Sequence, residues 1–151
     1  MRTKKVNRYW CDFCNKAGLS ARHMRSHEMH CTLNPERECR VCKLVHESRD
    51  TDFVKKSVAE LCAILPDPTE YLHTFGESEL VNSSHKKLCN ELALMLPVLK
   101  EAAGNCPACM MAALRQKKIP VPMVEGFCFK EEMEKIFSSK NDNANYGYHA
   151  Y

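Results

Sequence analysis

The spacing of cysteine and histidine residues constrains this chain more than any other feature of its sequence. Cys11 and Cys14 are separated by two residues, twelve residues lead from Cys14 to His27, and three more lead to Cys31. His27 and Cys31 are four residues apart, so a helix would place both on one face. The set supplies four soft or borderline donors to one tetrahedral ion, which is the chemistry of a structural zinc site.

Four further cysteines form a second set from two distant parts of the chain. The pair Cys39 and Cys42 follows the first set directly, and Cys106 and Cys109 repeat the two-residue gap after 63 intervening residues. Compact zinc ribbons separate their pairs by about 15–20 residues, so we expect a helical hairpin between these two pairs. We expect the first pair to lead into a loop and the second to open a helix at Pro107, which resembles the treble-clef arrangement. The prediction is two Zn²⁺ ions per chain.

Other donors leave alternatives open. His23 lies four residues before His27 and competes with Cys31, while His46 could replace a cysteine of the second set. The sequence Cys106-Pro-Ala-Cys109 before a helix also resembles a thioredoxin-type redox pair. That fold requires a preceding strand, whereas a helical pattern stands there. The remaining cysteines are predicted to pack in the core; they are Cys62, Cys89 and Cys128.

Residues 9–31 resemble the two-Cys two-His zinc-finger family in its Cys-Cys-His-Cys form. Tyr9 stands two residues before Cys11, where the family has an aromatic residue. The opening Tyr-Trp-Cys-Asp-Phe-Cys also resembles the matrin-type RNA-binding fingers. Gly18 replaces the family phenylalanine and Met24 replaces the family leucine, so Leu19 is expected to fill the small core. The resemblance implies a ββα-like unit whose helix faces nucleic acid.

Charge is distributed unevenly along the chain. Residues 1–50 hold eleven basic and six acidic side chains, a net +5, whereas residues 51–151 hold eleven and thirteen, a net −2. A basic module on a slightly acidic body favours a polyanionic partner. No segment has the ~20 apolar residues of a membrane span, and the first ten residues lack the apolar core of a signal peptide. We therefore expect an intracellular protein without a membrane partner, cytoplasmic, or nuclear if eukaryotic, in which paired cysteines bind metal.

Apolar periodicity predicts a mainly α-helical chain, in which a small N-terminal zinc finger is attached to a helical body tied by the four-cysteine zinc site. The predicted helices cover residues 19–30, 51 or 52–65, 78–103, 107–116 and 130–137. Pro97 is expected to kink or split the third helix and Gly104 to cap it. A short turn at 69–75 and a core-pinned loop at 119–129 complete the body. The predicted domains are 1–34 (basic arm and finger), 35–137 (helical domain) and 138–151 (flexible polar tail).

The finger and the arm before it are the predicted nucleic-acid interface. Outward residues of a finger helix approach bases or phosphates, and a basic arm with aromatic residues neutralises phosphates while its rings stack on exposed bases. The predicted contact residues are Arg2, Lys4, Lys5, Arg8, Tyr9, Trp10, Ser20, Arg22, His23, Arg25 and Ser26. The alternative is that Tyr9 and Trp10 cover the zinc site and the arm is merely solvated.

No sequence motif indicates catalysis or a small-molecule substrate. A phosphate loop, a nucleophile elbow and paired carboxylates are all missing, and closed four-coordinate zinc sites leave no position for activating water. The sequence therefore predicts a non-enzymatic, zinc-stabilised DNA- or RNA-binding protein of a regulatory kind. The main alternative is a protein-interaction adaptor with purely architectural zinc. A small treble-clef nuclease is a third reading, which lacks its His-Asn-His cluster.

Overall fold

The computed structural model describes the backbone of residues 5–45, 50–69 and 78–138, and all their side chains except those of residues 45 and 78–84. This part of the chain is mainly helical with one N-terminal hairpin, which confirms the predicted class. Its elements are β1 (Tyr9–Trp10), β2 (Ala17–Gly18), α1 (Ala21–His30), α2 (Arg40–Val45), α3 (Thr51–Ile64), α4 (Ser78–Ala102), α5 (Pro107–Gln116), a 3-10 turn (Val121–Met123) and α6 (Phe129–Ser138). Within the described ranges, no helix combines the length and the apolar character needed to cross a membrane.

The N-terminal module begins with a two-stranded antiparallel hairpin. Tyr9 pairs with Gly18, and Trp10 pairs with Ala17. Helix α1 follows with Ser20 as its N-cap, since the Ser20 hydroxyl accepts the backbone N–H of His23 at 3.4 Å. This contact satisfies one of the free amides at the helix start. The chain thus passes from hairpin to helix within two residues, which places α1 against the hairpin.

The main core lies where α3, α4 and α5 pack together. The predicted apolar stripes of α3 and α4 are buried, which confirms them as core. The buried members are Val54, Val58, Leu61 and Leu65 on α3, and Leu88, Leu92 and Leu99 on α4. From α5, Ala112, Ala113 and Leu114 are at most 1% exposed and pack against the same cluster. Burial of these side chains is the main source of stability for the helical body.

Pro97 was expected to kink or split α4; the helix runs unbroken through Pro97, so the split is wrong. Pro97 lies on the exposed side of the helix, where its ring meets solvent and not the packed core. The other predicted feature of α4 is confirmed, because Gly104 caps it with a φ of 56°. Gly104 donates to the carbonyl of Glu101 at 2.8 Å, and Asn105 donates to that of Lys100 at 2.7 Å. This Schellman-type ending turns the chain directly into Cys106.

The loop after α5 is pinned to the core, as predicted, and contains the 3-10 turn. Ile119 and Val124 are 2% exposed and Phe127 is 7% exposed. Cys128 was expected in this core, but its side chain is exposed because it lies just before α6 on the outer side of the turn. Cys62 and Cys89 are half-buried. Apart from Thr69 and Ser138, the predicted turn at 69–75 and the predicted tail at 138–151 lie outside the described residues.

Candidate metal centres

The first predicted set of donors comes together between the hairpin and α1. Cys11, Cys14, His27 and Cys31 each offer one ligand atom, and these atoms all lie within 4.8 Å of one another. The Cys14 Sγ to His27 Nε2 distance is 3.2 Å. Tetrahedral Zn–S and Zn–N bonds would set this separation at about 3.5 Å. The competing donor His23 is exposed and outside the cluster, so the structure groups His27 with Cys31.

A very small apolar core supports this set. Met24 is 6% exposed and packs with Cys11 and Cys31. Its terminal methyl lies 3.2 Å from the point where a Cβ on Gly18 would stand, so Met24 occupies the space left by the missing phenylalanine. Leu19 was expected to fill that space, but it is 70% exposed because it precedes the N-cap on the outer side of the turn. The module therefore has little apolar burial of its own to hold it folded.

Burial shifts the pKa values of two donors in the first set, His27 and Cys31. Burial lowers the pKa of His27, which keeps the imidazole in the neutral form that binds metal. Burial also raises the pKa of Cys31 to about 11. A thiol of this kind ionises near neutral pH only when a cation takes the place of its proton. Burial acts to raise the pKa of Cys14 as well, but hydrogen bonds from the Lys16 backbone and from the Cys11 and Cys31 thiols outweigh it and lower that pKa. The arrangement can therefore hold a metal ion.

The second predicted set also comes together, in the centre of the helical body. Cys39, Cys42, Cys106 and Cys109 are at most 3% exposed, with ligand atoms within 4.8 Å of one another. The sulfur atoms of Cys39 and Cys106 are 3.6 Å apart, and those of Cys42 and Cys109 are 3.5 Å apart. A tetrahedral metal with ~2.3 Å bonds to sulfur gives about 3.8 Å, whereas a disulfide gives about 2.05 Å. The donor set fits a four-thiolate metal site.

Each pair of this set lies at the start of a helix. Cys106 is the N-cap of α5 with Pro107 at the first helical position, as predicted. Cys39 directly precedes α2, and its sulfur accepts the backbone N–H of Cys42 at 3.5 Å. Helix α2 continues past this pair to Val45, and residues 46–49, where the predicted loop would lie, are outside the described ranges. No strand accompanies this set in the described ranges, whereas the first set includes the β1–β2 hairpin. Amides at a helix start stabilise thiolates.

The four buried thiols compete for ionisation. Hydrogen bonds from the thiols of Cys106 and Cys109 lower the pKa of Cys39 and of Cys42. Hydrogen bonds with Cys106, Cys39 and Cys42, of which that with Cys106 has the largest effect, raise the pKa of Cys109, and burial raises it further. Cys39 and Cys42 are therefore disposed to be anions, whereas Cys109 keeps its proton. A divalent cation at their centre would allow all four to ionise together.

The structure also bears on the alternatives at this set. Helices α3 and α4 lie between the two pairs and pack against each other, as expected for an inserted helical hairpin. The chain reaches Cys106 from the end of α4 and not from a strand, which is unlike a thioredoxin-type pair. The Cys106 sulfur lies 3.6 Å from that of Cys39, in the other pair. His46 lies outside the described residues.

The predicted nucleic-acid residues on the hairpin are open to solvent. Trp10 is 58% exposed and Tyr9 is 37% exposed, and neither belongs to the buried cluster of the first set. The guanidinium of Arg8 lies over the Trp10 ring, 5.4 Å from its centroid. Lys5 is also exposed. Both rings are thus accessible from solvent. Arg2 and Lys4 lie outside the described residues.

The predicted residues on α1 divide into two groups. Arg22, His23 and Arg25 are exposed. Ser20 is engaged as the N-cap of α1, and the hydroxyl of Ser26 accepts from Arg40 at 3.4 Å. Both serines thus have roles within the chain.

The segment between the two sets contains features that sequence reasoning missed. Arg37 is 5% exposed, and its Nη1 donates to the carbonyl of Ala108 at 3.1 Å. The carbonyl of Thr32 accepts from Gln116 at 3.1 Å, and its hydroxyl accepts from Arg115 at 3.2 Å. These bonds hold the segment on α5. The sequence carries no periodic signal for them, because they join residues more than 70 positions apart.

Comparisons of this chain with protein-family models, with curated proteins and with solved structures found no match. The function must therefore be inferred from the two clusters and from the surface around them.

Proposed function

We propose that this chain holds two structural Zn²⁺ ions, one in each set. The observation that carries the proposal is that both sets are complete. In each set, the ligand atoms of four residues lie within 4.8 Å of one another. Zinc suits tetrahedral sites of three cysteines with one histidine and of four cysteines. Four protein ligands leave no position for an activated water, so we infer a non-enzymatic role for both ions. Metal analysis of the protein purified without chelator tests this, with two zinc ions per chain expected.

We further infer that the N-terminal module binds nucleic acid, and that it favours single strands. The supporting observation is the solvent-exposed Trp10 with the Arg8 guanidinium stacked on it. An aromatic ring beside a fixed cation binds an unpaired base by stacking and an adjacent phosphate by charge. A base inside a duplex does not present its face to such a ring. Single-stranded DNA or RNA therefore fits this surface best.

The face of α1 supports contacts to phosphates more than reading of base edges. Two of its candidate residues, Ser20 and Ser26, are engaged within the chain. Arg22 and Arg25 are exposed and add positive charge beside the hairpin, and His23 is exposed next to them. A single finger reads only about 3 base pairs of duplex. We thus infer weak sequence preference, with most of the affinity from charge and stacking.

A protein-binding adaptor is the second candidate function, and a separate surface favours it. Leu94 and Val98 lie one turn apart on α4 and are 82% and 53% exposed. Adjacent exposed aliphatic side chains on a helix are typical of a docking face. This face belongs to the helical body and not to the basic module.

The experiment uses Trp10, which is the single tryptophan of the chain. We would titrate the metal-loaded protein with single- and double-stranded DNA and RNA of one sequence, following tryptophan fluorescence and the anisotropy of labelled strands. Single strands are expected to quench Trp10, and binding should weaken steeply with salt because counterions are released. If neither signal changes with any form of DNA or RNA, the adaptor becomes the favoured function.

Variants separate stacking from charge in the same assay. Trp10→Ala should cost about 1–3 kcal/mol of single-strand binding. Leu19→Ala removes another exposed apolar side chain of the module and serves as the matched control. Replacing Lys4, Lys5 and Arg8 together by Ala should flatten the salt dependence for all sequences alike. Equal losses in Trp10→Ala and Leu19→Ala would contradict the stacking role.

A further inference from the structure

Arg37 is a buried cation without a counter-charge among ordinary side chains. It is 5% exposed, and no other charged residue within the described ranges is buried to this degree. Nη1 donates to the Ala108 carbonyl at 3.1 Å, while Nε, which is also buried, has no hydrogen-bond partner in the described part of the chain. None of the ion pairs among the described residues includes Arg37.

Such a residue needs a negative group nearby. A guanidinium keeps its proton in proteins, and a buried charge without compensation is strongly unfavourable. Arg37 stands two residues before Cys39, and its acceptor Ala108 lies between Cys106 and Cys109. The side chain therefore reaches from one pair of the four-cysteine set to the other. Four thiolates around one divalent ion carry a formal charge of about −2.

We propose that Arg37 is the counter-ion and positioning residue of the four-cysteine centre. This inference depends on the proposed metal occupancy of that set. The positive charge of Arg37 offsets the excess negative charge of the loaded centre, and its Nη1–H holds the backbone of the second pair in place. Polar groups just outside a metal's ligands commonly tune metal affinity in this way.

Arg37 lies in the segment that joins the two sets, and Thr32 of the same segment bonds to Arg115 and Gln116 on α5. Together with the bond from Arg37 to the Ala108 carbonyl, these contacts attach the segment to α5 beside the four-cysteine set.

The test compares metal affinity at each centre in the full-length chain. Cadmium-113 NMR of the Cd²⁺-loaded protein gives separate signals for a four-sulfur site and for a three-sulfur, one-nitrogen site. Following both signals during titration with a competing chelator gives the two affinities. Arg37→Gln removes the charge but keeps a polar, shorter side chain, and Arg37→Lys keeps the charge without the planar guanidinium. Arg40→Gln, next to Cys39 but exposed, is the matched control.

We expect Arg37→Gln to weaken Cd²⁺ binding at the four-sulfur site by about 10- to 100-fold. Arg37→Lys should retain affinity within about threefold of wild type, and so should Arg40→Gln, because its charge is screened by solvent. Wild-type affinity in Arg37→Gln would overturn the inference. So would an equal loss in Arg40→Gln or in Arg37→Lys, because the buried charge would then not be the cause. If Arg37→Gln fails to fold, Arg37→Lys alone decides: retained affinity supports the role of the charge, whereas a loss of about 10-fold or more with Arg40→Gln unchanged overturns it.

Failure of the metal proposal itself would look different. A wild-type protein that shows no four-sulfur cadmium signal has no metal at this centre, whatever residue stands at position 37. A wild-type protein with both signals, and unchanged affinity in Arg37→Gln, retains its metal centres and refutes only the role of Arg37.

Discussion

His27 distinguishes the first set from its closest alternative, since His23 stands one turn earlier on the same helix. The structure places His27 within the cluster and leaves His23 exposed. His27→Ala should therefore reduce the metal content from two ions to one, whereas His23→Ala should keep two. Native mass spectrometry of both variants measures this directly. Loss of an ion in His23→Ala alone would assign the ligand role to the other histidine.

Glu132 gives a prediction about pH. Its carboxylate accepts from Lys135 at 2.9 Å and from Lys100 at 3.0 Å, and these contacts, led by that with Lys135, lower its pKa from the ordinary 4.5. A carboxyl whose pKa is lower in the folded than in the unfolded state stabilises the fold fully at pH values above its unfolded pKa. That stabilisation is lost as the pH falls through the folded-state pKa. The contribution, about 0.5–1 kcal/mol for pairs of this kind, is present at neutral pH.

Denaturant titrations between about pH 7 and about pH 3 test this contribution. Glu132→Gln should be less stable than wild type at pH 7, and the difference should vanish at the acid end. Glu131→Gln, which removes the adjacent exposed carboxylate, is the control and should leave the profile nearly unchanged. A constant deficit of Glu132→Gln across the whole range would contradict the ionic origin.

At the scale of elements, the unbroken course of α4 through Pro97 leads to a stability prediction. A proline inside a helix removes one backbone hydrogen bond and crowds the preceding turn. Pro97 is exposed, so an alanine there would leave no core cavity. Pro97→Ala should raise the free energy of unfolding by about 1–3 kcal/mol. Val98→Ala, beside it and also exposed, should change stability by less than about 0.5 kcal/mol. A less stable Pro97→Ala would contradict the expected gain from the restored hydrogen bond.

Elements set by local signals could be predicted from the sequence. Pro107 and the helix pattern gave the bounds of α5, and Gly104 gave the end of α4, because both act through their own backbone angles. The two donor sets also came from spacing alone. The repeated metal-binding pair is enough to group the donors, without knowledge of how the rest of the chain folds.

The errors arose where tertiary contacts decide. No helix was expected at the first pair of the four-cysteine set, but the sulfur of Cys39 accepts the Cys42 amide and starts α2. Leu19 was placed in the small core because it is apolar, but the side chain of Met24 occupies the space beside Gly18. Burial of Arg37 depends on the Ala108 carbonyl, 71 positions away, so no local pattern could indicate it.

At the scale of the whole molecule, the two metal sets stand in very different cores. The first is buried with Met24 as its one non-ligand member among the described residues. The second belongs to a large cluster that includes Leu61, Leu92 and Leu114. Metal binding by finger peptides contributes roughly 10–16 kcal/mol that is coupled to folding. The first module should depend on this energy completely, and the helical body only in part.

Removing the metal should therefore unfold the chain in two unequal steps. Hydrogen exchange by mass spectrometry, in reducing buffer with and without a strong chelator, measures protection along the chain. Residues 9–31 should lose all protection without metal, and the starts of α2 and α5 should lose part of it. Residues 88–99 of α4 should remain protected, because Leu88, Leu92 and Leu99 are buried among apolar neighbours that need no ion. Uniform loss along the chain would show that the second ion is required for the whole fold. Unchanged protection of residues 9–31 would show that the first set needs no metal to stay folded.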